Sequence, residues 1–422
     1  MLKSSHISSP VREKLFNGMT IIVEQVPVEV VSLHLWVNIG SAVEYDDING
    51  ISHFLEHMVF KGTERLESGE FERRIEERGA VTNAATSQDY SHYHITTAPR
   101  DFADLAPLLF DIVLNASILD NAFEQERLVI LEEILRSEDN TRYCTFKRLI
   151  EVAFNRSPYK RPILGTKEII SQLKPQQMRD FYKNWYQPIS MTAVAVGNLP
   201  VGGLIEILAQ ECVHKLTENG SCRLPKVEQE LPFTEIVRNE FIDERLQKAR
   251  LVILWRVPGI YQLDKTYALD ILAGVLGRGR TSRLVMELRE ERGIANNIYV
   301  RNMTNRYQGV FYISTQCEIE NIPLVESAII NNIRRLHTGM VQKSEIERIS
   351  IRVANQFIFG TEKPSDRANL YGYYQSLIGD LEPAFNYPLN ICRQTSMDLM
   401  QAAQMYLSPD AYGVVAVRPS GN

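Results

Sequence analysis

Residues 51–58 read Ile-Ser-His-Phe-Leu-Glu-His-Met and directly follow the turn sequence Asn49-Gly50. The later apolar residues of this segment stand three, four and seven positions after the first, which is the spacing of a helix with one apolar face. His53 and His57 are four positions apart, so on a helix both imidazoles project from the same side, one turn from each other. The segment therefore predicts an amphipathic helix that carries two neighbouring histidines.

These histidines and Glu56 form the pattern H-x-x-E-H, which is a motif of zinc hydrolases. Two imidazole nitrogens on one helix face can bind a single tetrahedral zinc ion, and a carboxylate between them can reach a water molecule on that ion. His53 and His57 are therefore predicted metal ligands, and Glu56 is the predicted general base. The alternative is an ordinary exposed polar face of a helix.

A catalytic zinc ion needs a third protein ligand. Residues 124–133 read Glu-Gln-Glu-Arg-Leu-Val-Ile-Leu-Glu-Glu and have a helical pattern. Glu126 and Glu133 are seven positions apart and lie on one helix face, whereas Glu132 points about 100° away from Glu133. A carboxylate from this helix is the predicted third ligand, which leaves a fourth position for water. The alternative is a solvated acidic helix.

A weak internal repeat indicates two similar halves. Residues 35–40 and 254–259 both begin with Leu-Trp and end with Gly. The apolar segments 191–196 and 412–417 each follow a proline, and their offset along the chain is nearly the same as that of the first pair. The alternative is a chance match, because strands that are buried on both faces draw on few residue types.

Strands and long helices are mixed in the sequence, which predicts an α+β fold. We expect two homologous α/β domains, each with a mixed, mainly antiparallel sheet on which helices pack. The segment 217–226 is polar and contains Gly and Pro, as an exposed connection does. The predicted domains are therefore 1–215 and 236–422, with a linker at 216–235.

Composition excludes several classes of protein. Of the 422 residues, 44% are hydrophobic and 23% are charged, and 46 basic against 52 acidic residues give a net charge of −6. These values are typical of a globular chain and lack the basic footprint of a nucleic-acid-binding protein. No apolar run approaches the roughly 20 residues of a membrane span. Residues 1–6 lack the apolar stretch of a secretory signal, and the five cysteines are scattered, so we expect a cytoplasmic protein.

The segment around the two histidines also resembles a known family. Residues 40–41, 49–50 and 51–63 are similar to the active-site segment of the pitrilysin/insulinase zinc metallopeptidases, and more closely to the mitochondrial-processing-peptidase-like branch of short, two-domain bacterial and organellar members. The similarity continues at residues 83–86, 126–133, 158–165, 282–284 and 288–295. The resemblance implies that the two domains form a clam-like chamber and that one of them binds zinc.

The resemblance also implies roles for individual residues. His53, His57 and Glu133 match the zinc ligands of the family, Glu56 matches the general base, and Glu126 matches a carboxylate that supports the site. The implied function is a zinc-dependent endopeptidase that hydrolyses peptides or unfolded segments. The alternative is a catalytically weak or inactive scaffold or peptide-binding subunit of a heteromeric complex.

The predicted substrate-binding residues lie in both halves. Asn83, Ala84 and Thr86 match the edge strand on which the family pairs an extended peptide. Arg289 matches an arginine that the family directs at the substrate, but Asn296 stands where the family commonly has a tyrosine. In heterodimeric relatives the zinc ligands and the Arg-Tyr pair lie on different subunits. We therefore expect a dimer, either a heterodimer with a related chain that supplies the pair or a homodimer that tolerates the asparagine.

Two further predictions concern positions without metal. The Leu-Trp pair of the second half stands a fixed number of residues after that of the first half. The same number added to the positions of the H-x-x-E-H motif gives Leu272, Val275 and Leu276, so the second domain is expected to keep the fold without binding metal. His92 and His94 share one face of a predicted strand. We expect them to be structural or solvent-facing rather than metal ligands.

Overall fold

The computed structural model describes residues 10–212, 224–225 and 227–420. The predicted domain end at 215, the predicted linker at 216–223 and 226, and the N-terminal residues that were searched for a signal lie outside the described residues. The chain divides into two compact units, each made of three segments. The first unit contains Met1–Ile134, Arg161–Pro225 and Gly360–Ala384, and the second contains Leu135–Lys160, Lys226–Phe359 and Phe385–Asn422.

A six-stranded sheet forms the centre of the first unit. Its spatial order is β1-β2-β6-β3-β5-β4, and all neighbours are antiparallel except β2 and β6. The edge strand β4 pairs with β5. The strands are β1 (Val11–Lys14), β2 (Thr20–Gln25), β3 (Val31–Val37), β4 (Val81–Thr86), β5 (Ser91–Thr97) and β6 (Met191–Gly197).

Helices cover one face of this sheet and bury its main core. Side chains alternate between the two faces of a strand, and Leu33, Leu35, Tyr93 and Ile95 point to the face on which the helices pack. The helices of the first half of the chain are α1 (Ile51–Met58), α2 (Glu70–Glu77), α3 (Phe102–Leu114), α4 (Asp120–Asp139), α5 (Thr141–Ala153), α6 (Lys167–Gln172), α7 (Pro175–Trp185) and α8 (Val201–Cys212). Of these, α5 belongs to the second unit.

The second unit has a five-stranded sheet with the same arrangement. Its order is β7-β11-β8-β10-β9, which corresponds strand by strand to β2-β6-β3-β5-β4 of the first sheet, including the single parallel pair. The strands are β7 (Val237–Ile242), β8 (Ala249–Pro258), β9 (Asn296–Thr304), β10 (Gln308–Cys317) and β11 (Gly413–Arg418). The Leu-Trp pairs of the predicted repeat lie in the equivalent strands β3 and β8. The predicted α+β fold with two homologous halves is confirmed.

The helices of the second half of the chain include a counterpart of α1. They are α9 (Tyr267–Gly277), α10 (Ile322–Thr338), α11 (Lys343–Phe359), α12 (Pro364–Ile378), α13 (Glu382–Arg393) and α14 (Ser396–Tyr406). Helix α9 follows β8 as α1 follows β3, and Leu272, Val275 and Leu276 are completely buried in it. Among the described residues, no helix has the length and apolar composition of a membrane span.

Helix α12 comes from the second half of the sequence but packs on β3 and β6 of the first unit. Gly372 faces the ring of Trp36 so closely that a Cβ atom at this position would lie 1.9 Å from the indole Nε1. Glu24 on β2 accepts hydrogen bonds from the guanidinium of Arg367, at 2.7 Å, and from the hydroxyl of Tyr371, at 2.9 Å. A close steric fit and a buried ion pair therefore fix α12 on the sheet.

Candidate metal centre

The start of α1 is fixed by a buried carboxylate. Gly50 precedes the helix with φ of +95°, a conformation that glycine adopts without steric cost. Glu44 accepts hydrogen bonds from the backbone N–H groups of Gly50 and Ser52 and from the side chain of Asn49, all at 2.8 Å. Glu44 thus satisfies N–H groups that the first turn of a helix leaves unpaired. Burial raises the pKa of Glu44, although these hydrogen bonds oppose the change.

Helices α1 and α4 bring the three predicted metal ligands together. The Nε2 atoms of His53 and His57 each lie 3.6 Å from Oε2 of Glu133. All three candidate ligand atoms lie within 4.8 Å of one another. Ligand atoms of a tetrahedral zinc ion with bonds of 2.0–2.1 Å are about 3.3 Å apart. Two imidazole nitrogens and one carboxylate oxygen at this spacing fit a zinc ion with an open fourth position.

Glu126 orients the second histidine. Its Oε1 lies 2.9 Å from Nδ1 of His57, so the Nε2 atom of this ring is directed at Glu133. Lys61 forms an ion pair of 2.6 Å with the other carboxylate oxygen. Burial alone would raise the pKa of Glu126, but the hydrogen bonds from His57 and Lys61 outweigh it and the pKa is lowered. A carboxylate that fixes the ring of a metal-binding histidine is typical of zinc sites.

His53 is the more buried of the two histidines. Burial, and to a smaller extent the neighbouring His57, lowers its pKa to about 3. The ring is therefore neutral at physiological pH, which is the form that binds a metal ion. Its Nδ1 atom has no hydrogen-bond partner among the described residues.

Glu56 contacts the edge strand. The hydroxyl of Thr86, at the end of β4, donates a hydrogen bond of 2.5 Å to Oε2 of Glu56. Burial raises the pKa of Glu56, and the hydrogen bond from Thr86 opposes this change. The predicted general base and the predicted substrate-binding strand are thus directly connected.

The other predicted residues of β4 lie on its free edge. Asn83 is exposed, and its side-chain oxygen accepts a hydrogen bond of 2.9 Å from the backbone N–H of Ala84. The alternation along β4 leaves Thr82, Ala84 and Thr86 on the side of α1. An extended peptide can pair with an exposed edge of this kind.

The predicted residues of the second half are described only within the second unit. Arg289 lies in the π-helical segment Val285–Glu291 and donates two hydrogen bonds to Glu290, at 2.9 and 2.6 Å. Asn296 is exposed at the start of β9, the edge strand that corresponds to β4. The substrate roles of both residues, the clam-like chamber, and the dimer or heterodimer stay predictions.

Sequence reasoning missed three contributors to this site. Glu44 belongs to no motif that we recognised, Lys61 stands in the family-like segment 51–63 without a predicted role, and Thr86 was assigned only a place beside the substrate. An acidic residue shortly before an Asn-Gly turn and a helix was the available signal for Glu44. The sequence held no comparable signal for Lys61, because its partner Glu126 lies far along the chain, in α4.

Known proteins resemble this chain over nearly its whole length. A zinc protease of Streptomyces coelicolor, itself described as uncharacterized, is 25% identical over 99% of this chain and 88% of its own length. The zinc protease PqqE of Helicobacter pylori is 25% identical over 96% of this chain and 92% of its own length. The crystal structure of a protease from Helicobacter pylori has a TM-score of 0.90 at 23% identity and covers 97% of this chain and 99% of its own.

Two models of one family match successive parts of the chain. The model described as insulinase, peptidase family M16, matches residues 20–167, which include the histidines of α1 and the glutamates of α4. The model described as the peptidase M16 inactive domain matches residues 172–352, which include the apolar counterpart helix α9. Together these matches cover most of the chain, which therefore belongs to the insulinase family of peptidases, peptidase family M16.

Proposed function

We propose that this chain is a zinc-dependent endopeptidase that hydrolyses peptides or unfolded segments of polypeptide. The observation that carries the proposal is the meeting of the Nε2 atoms of His53 and His57 with a carboxylate oxygen of Glu133, with Glu56 in the same helix as the histidines. The donor set of two imidazoles and a carboxylate suits zinc. The names of the relatives as zinc proteases support the same conclusion.

Each residue of the site has a task in this reaction. His53, His57 and Glu133 would hold a zinc ion, which would act as a Lewis acid by polarising a peptide carbonyl and would lower the pKa of a water molecule so that it becomes a nucleophile. Glu56 accepts the proton of the attacking water and passes it to the amine that leaves. The hydroxyl of Thr86 holds the carboxylate of Glu56 in position.

Binding of the substrate follows from the edge strand. The backbone of β4 can pair with an extended peptide. Because Thr86 of this strand donates a hydrogen bond to Glu56, the scissile bond of the peptide would lie beside Glu56. Only a segment without secondary structure of its own can add to the sheet in this way. The proposed substrates are therefore short peptides and unfolded chains rather than folded proteins.

Substitution of the general base tests the proposal. We expect Glu56→Gln to lower the cleavage rate of an internally quenched peptide by at least about 100-fold, because general acid-base catalysis contributes this much. The zinc content of the variant should equal that of the wild type. Glu132→Gln is the matched control, since this residue is exposed on α4 beside Glu133.

Two results would overturn the proposal. One is cleavage by Glu56→Gln at the wild-type rate, and the other is full activity of the wild type after removal of metal by 1,10-phenanthroline. Single-turnover measurements would identify the alternative function. A chain that binds the peptide tightly but does not cleave it in a single turnover would be a scaffold or peptide-binding subunit.

A further inference from the structure

A second cluster of histidines lies on the opposite face of the first sheet. His34 on β3 stands directly opposite His94 on β5 in the strand register, and His92 lies two residues before His94 on the same face. This face is the one that α12 covers, because Trp36, which packs against Gly372, lies on it beside His92. The cluster is therefore separated by the sheet from the site on α1.

The three rings lie close together and parallel. The ring centroids of His34 and His94 are 4.7 Å apart, those of His92 and His94 are 5.8 Å apart, and the planes of each pair differ by no more than 17°. One ring nitrogen of each histidine lies within 4.8 Å of those of the other two. A metal ion lies in the plane of each imidazole that binds it, so the rings must turn out of this parallel stack before their nitrogens can hold one tetrahedral ion.

Within the described ranges, one buried nitrogen of each ring lacks a hydrogen-bond partner. The Nδ1 atoms of His34, His92 and His94 are all buried and have no hydrogen-bond partner in the described part of the chain. His34 is 2% exposed, so its Nδ1 is a buried polar atom without a hydrogen-bond partner among the described residues. Such an atom costs free energy unless it binds something.

Ser32 supports the ring of His34 from the other side. Its hydroxyl lies 3.2 Å from Nε2 of His34, 2.9 Å from the hydroxyl of Thr96 and 3.4 Å from the carbonyl oxygen of Ile95. If the serine proton goes to this carbonyl, the hydroxyl oxygen can accept the Nε2 proton of His34. That tautomer leaves a lone pair on Nδ1. A histidine held in this way by a second residue is typical of metal sites.

We propose that His34, His92 and His94 form a second metal site that binds a divalent transition-metal ion of the zinc, copper or nickel class. Three imidazole nitrogens without a carboxylate favour such ions over Mg²⁺ and Ca²⁺, which prefer oxygen ligands. His92 and His94 are half-buried, so the cluster lies near the surface, although the Nδ1 atoms themselves are buried. Burial lowers the pKa of His92 to about 4 and lowers those of His34 and His94, so all three rings are neutral at pH 7.

This site departs from the expectation that His92 and His94 are structural. Their third partner, His34, lies on a different strand, and only the pairing of β3 with β5 brings it to them. An ion bound here would link these two strands, and β5 is the strand that carries the edge strand β4. The bound ion would therefore stabilise the sheet on whose edge the proposed substrate pairs.

The test uses a chain in which the first site is disabled. We expect full-length His57→Ala to bind one Zn²⁺ per chain, measured by competition with a chromophoric chelator, and His57→Ala/His94→Gln to bind none. Zn²⁺ at 100 times its Kd should raise the Tm of His57→Ala by about 5 °C and leave that of the double variant unchanged. His57→Ala/His337→Gln is the control, because His337 lies in the second unit.

A second measurement leaves the cluster intact, in case the histidine variant does not fold. X-ray absorption of zinc-loaded His57→Ala should show about three imidazole ligands on the zinc ion. Binding of no zinc by His57→Ala, or a spectrum with no more than one imidazole, would overturn the proposal. Neither result depends on peptidase activity, so the proposed function would stand or fall separately.

Discussion

Single hydrogen bonds orient side chains of the proposed metal site on α1. Glu126 is the clearest example, because it contacts a predicted ligand without being one itself: its carboxylate bonds to Nδ1 of His57 and pairs with Lys61. Removal of its charge should loosen the ring of His57. Glu126 therefore contributes to the site by orienting the ring of His57, and not by binding the ion itself.

We therefore expect Glu126→Gln to weaken zinc binding at this site by 10- to 100-fold, as loss of a residue that supports a metal ligand does. The measurement is peptidase activity as a function of free zinc, which reports this site and not the histidine cluster on the sheet. Glu124→Gln is the control, since Glu124 is exposed on the same helix. Equal zinc dependence of the wild type and Glu126→Gln would contradict the role given to Glu126.

Asp270 in the second unit gives a prediction about pH. Burial raises its pKa to about 6, although hydrogen bonds from Asn302 and Tyr387 oppose the shift. Between about pH 4 and pH 6 the native state keeps a proton that the unfolded chain has released, so this group makes the protein less stable as pH rises. Well above pH 6, the free energy of unfolding is lower by about 3 kcal/mol because of this group.

Asp270→Asn should remove this loss, because the amide is neutral at every pH. We expect the variant and the wild type to have similar Tm values near pH 4, and the variant to have the higher Tm at pH 7. Asp264→Asn, at an exposed position in the same unit, serves as the control. A Tm difference that does not change with pH would show that Asp270 is not protonated in the native state at pH 4.

How much of the site was predictable depends on how far apart its residues are in the sequence. His53, Glu56 and His57 lie within one turn of helix, so their spacing alone indicated a metal site. Glu133 lies in a separate helix much later in the chain. Only the resemblance to the family identified Glu133, rather than Glu126, as the third ligand. The sequence showed His92 and His94 on one strand face but not His34 beside them, because the pairing of β3 with β5 leaves no mark in local spacing.

At the scale of elements, the position of α1 depends on its first turn. Gly50 lies in the left-handed region, and a Cβ atom there would lie 2.7 Å from the Cα atom of Gly165 and 2.8 Å from the carbonyl oxygen of Leu164. Neither of these backbone atoms can move as a side chain can. A substitution at Gly50 must therefore displace the start of α1 or the opposing backbone at Leu164 and Gly165.

We expect Gly50→Ala to lower the free energy of unfolding by about 4 kcal/mol or more, since steric overlap adds to backbone strain. Zinc binding at the site on α1 should weaken as well. Gly69→Ala is a matched control: Gly69 precedes α2 with φ of +81°, but a Cβ atom there meets nothing within 4 Å. The Gly69→Ala substitution should lower the free energy of unfolding by about 1–2 kcal/mol. Denaturant unfolding of the two variants makes the comparison, and equal losses would mean that the contact with Gly165 is unimportant.

At the scale of the whole molecule, the units do not follow the order of the sequence. Each unit contains three separate segments, and α12 of the second half belongs to the first unit. The repeat in the sequence indicated the two similar sheets correctly, because equivalent buried strands keep similar residues. It could not indicate the place of α12, whose contacts with Trp36 and Glu24 join residues from opposite ends of the chain.

A fragment of residues 1–235 should therefore fail to form a stable first unit, although it contains every predicted zinc ligand. Without α12 it would expose the face of the sheet that carries Trp36 and would leave Glu24 without Arg367. The measurement is the solubility and thermal unfolding of the fragment beside the full-length chain. A soluble fragment with a cooperative transition at the full-length Tm would show that α12 is dispensable.

We propose that His53, His57 and Glu133 together hold one zinc ion, and crystallography can show this ion. Anomalous X-ray diffraction from crystals of the zinc-loaded full-length chain, recorded on both sides of the zinc absorption edge, tests it most directly. We expect a zinc peak about 2.0–2.2 Å from the Nε2 atoms of both histidines and from a carboxylate oxygen of Glu133. A map with no zinc peak between these three side chains, or with a peak that Glu133 does not contact, would contradict it.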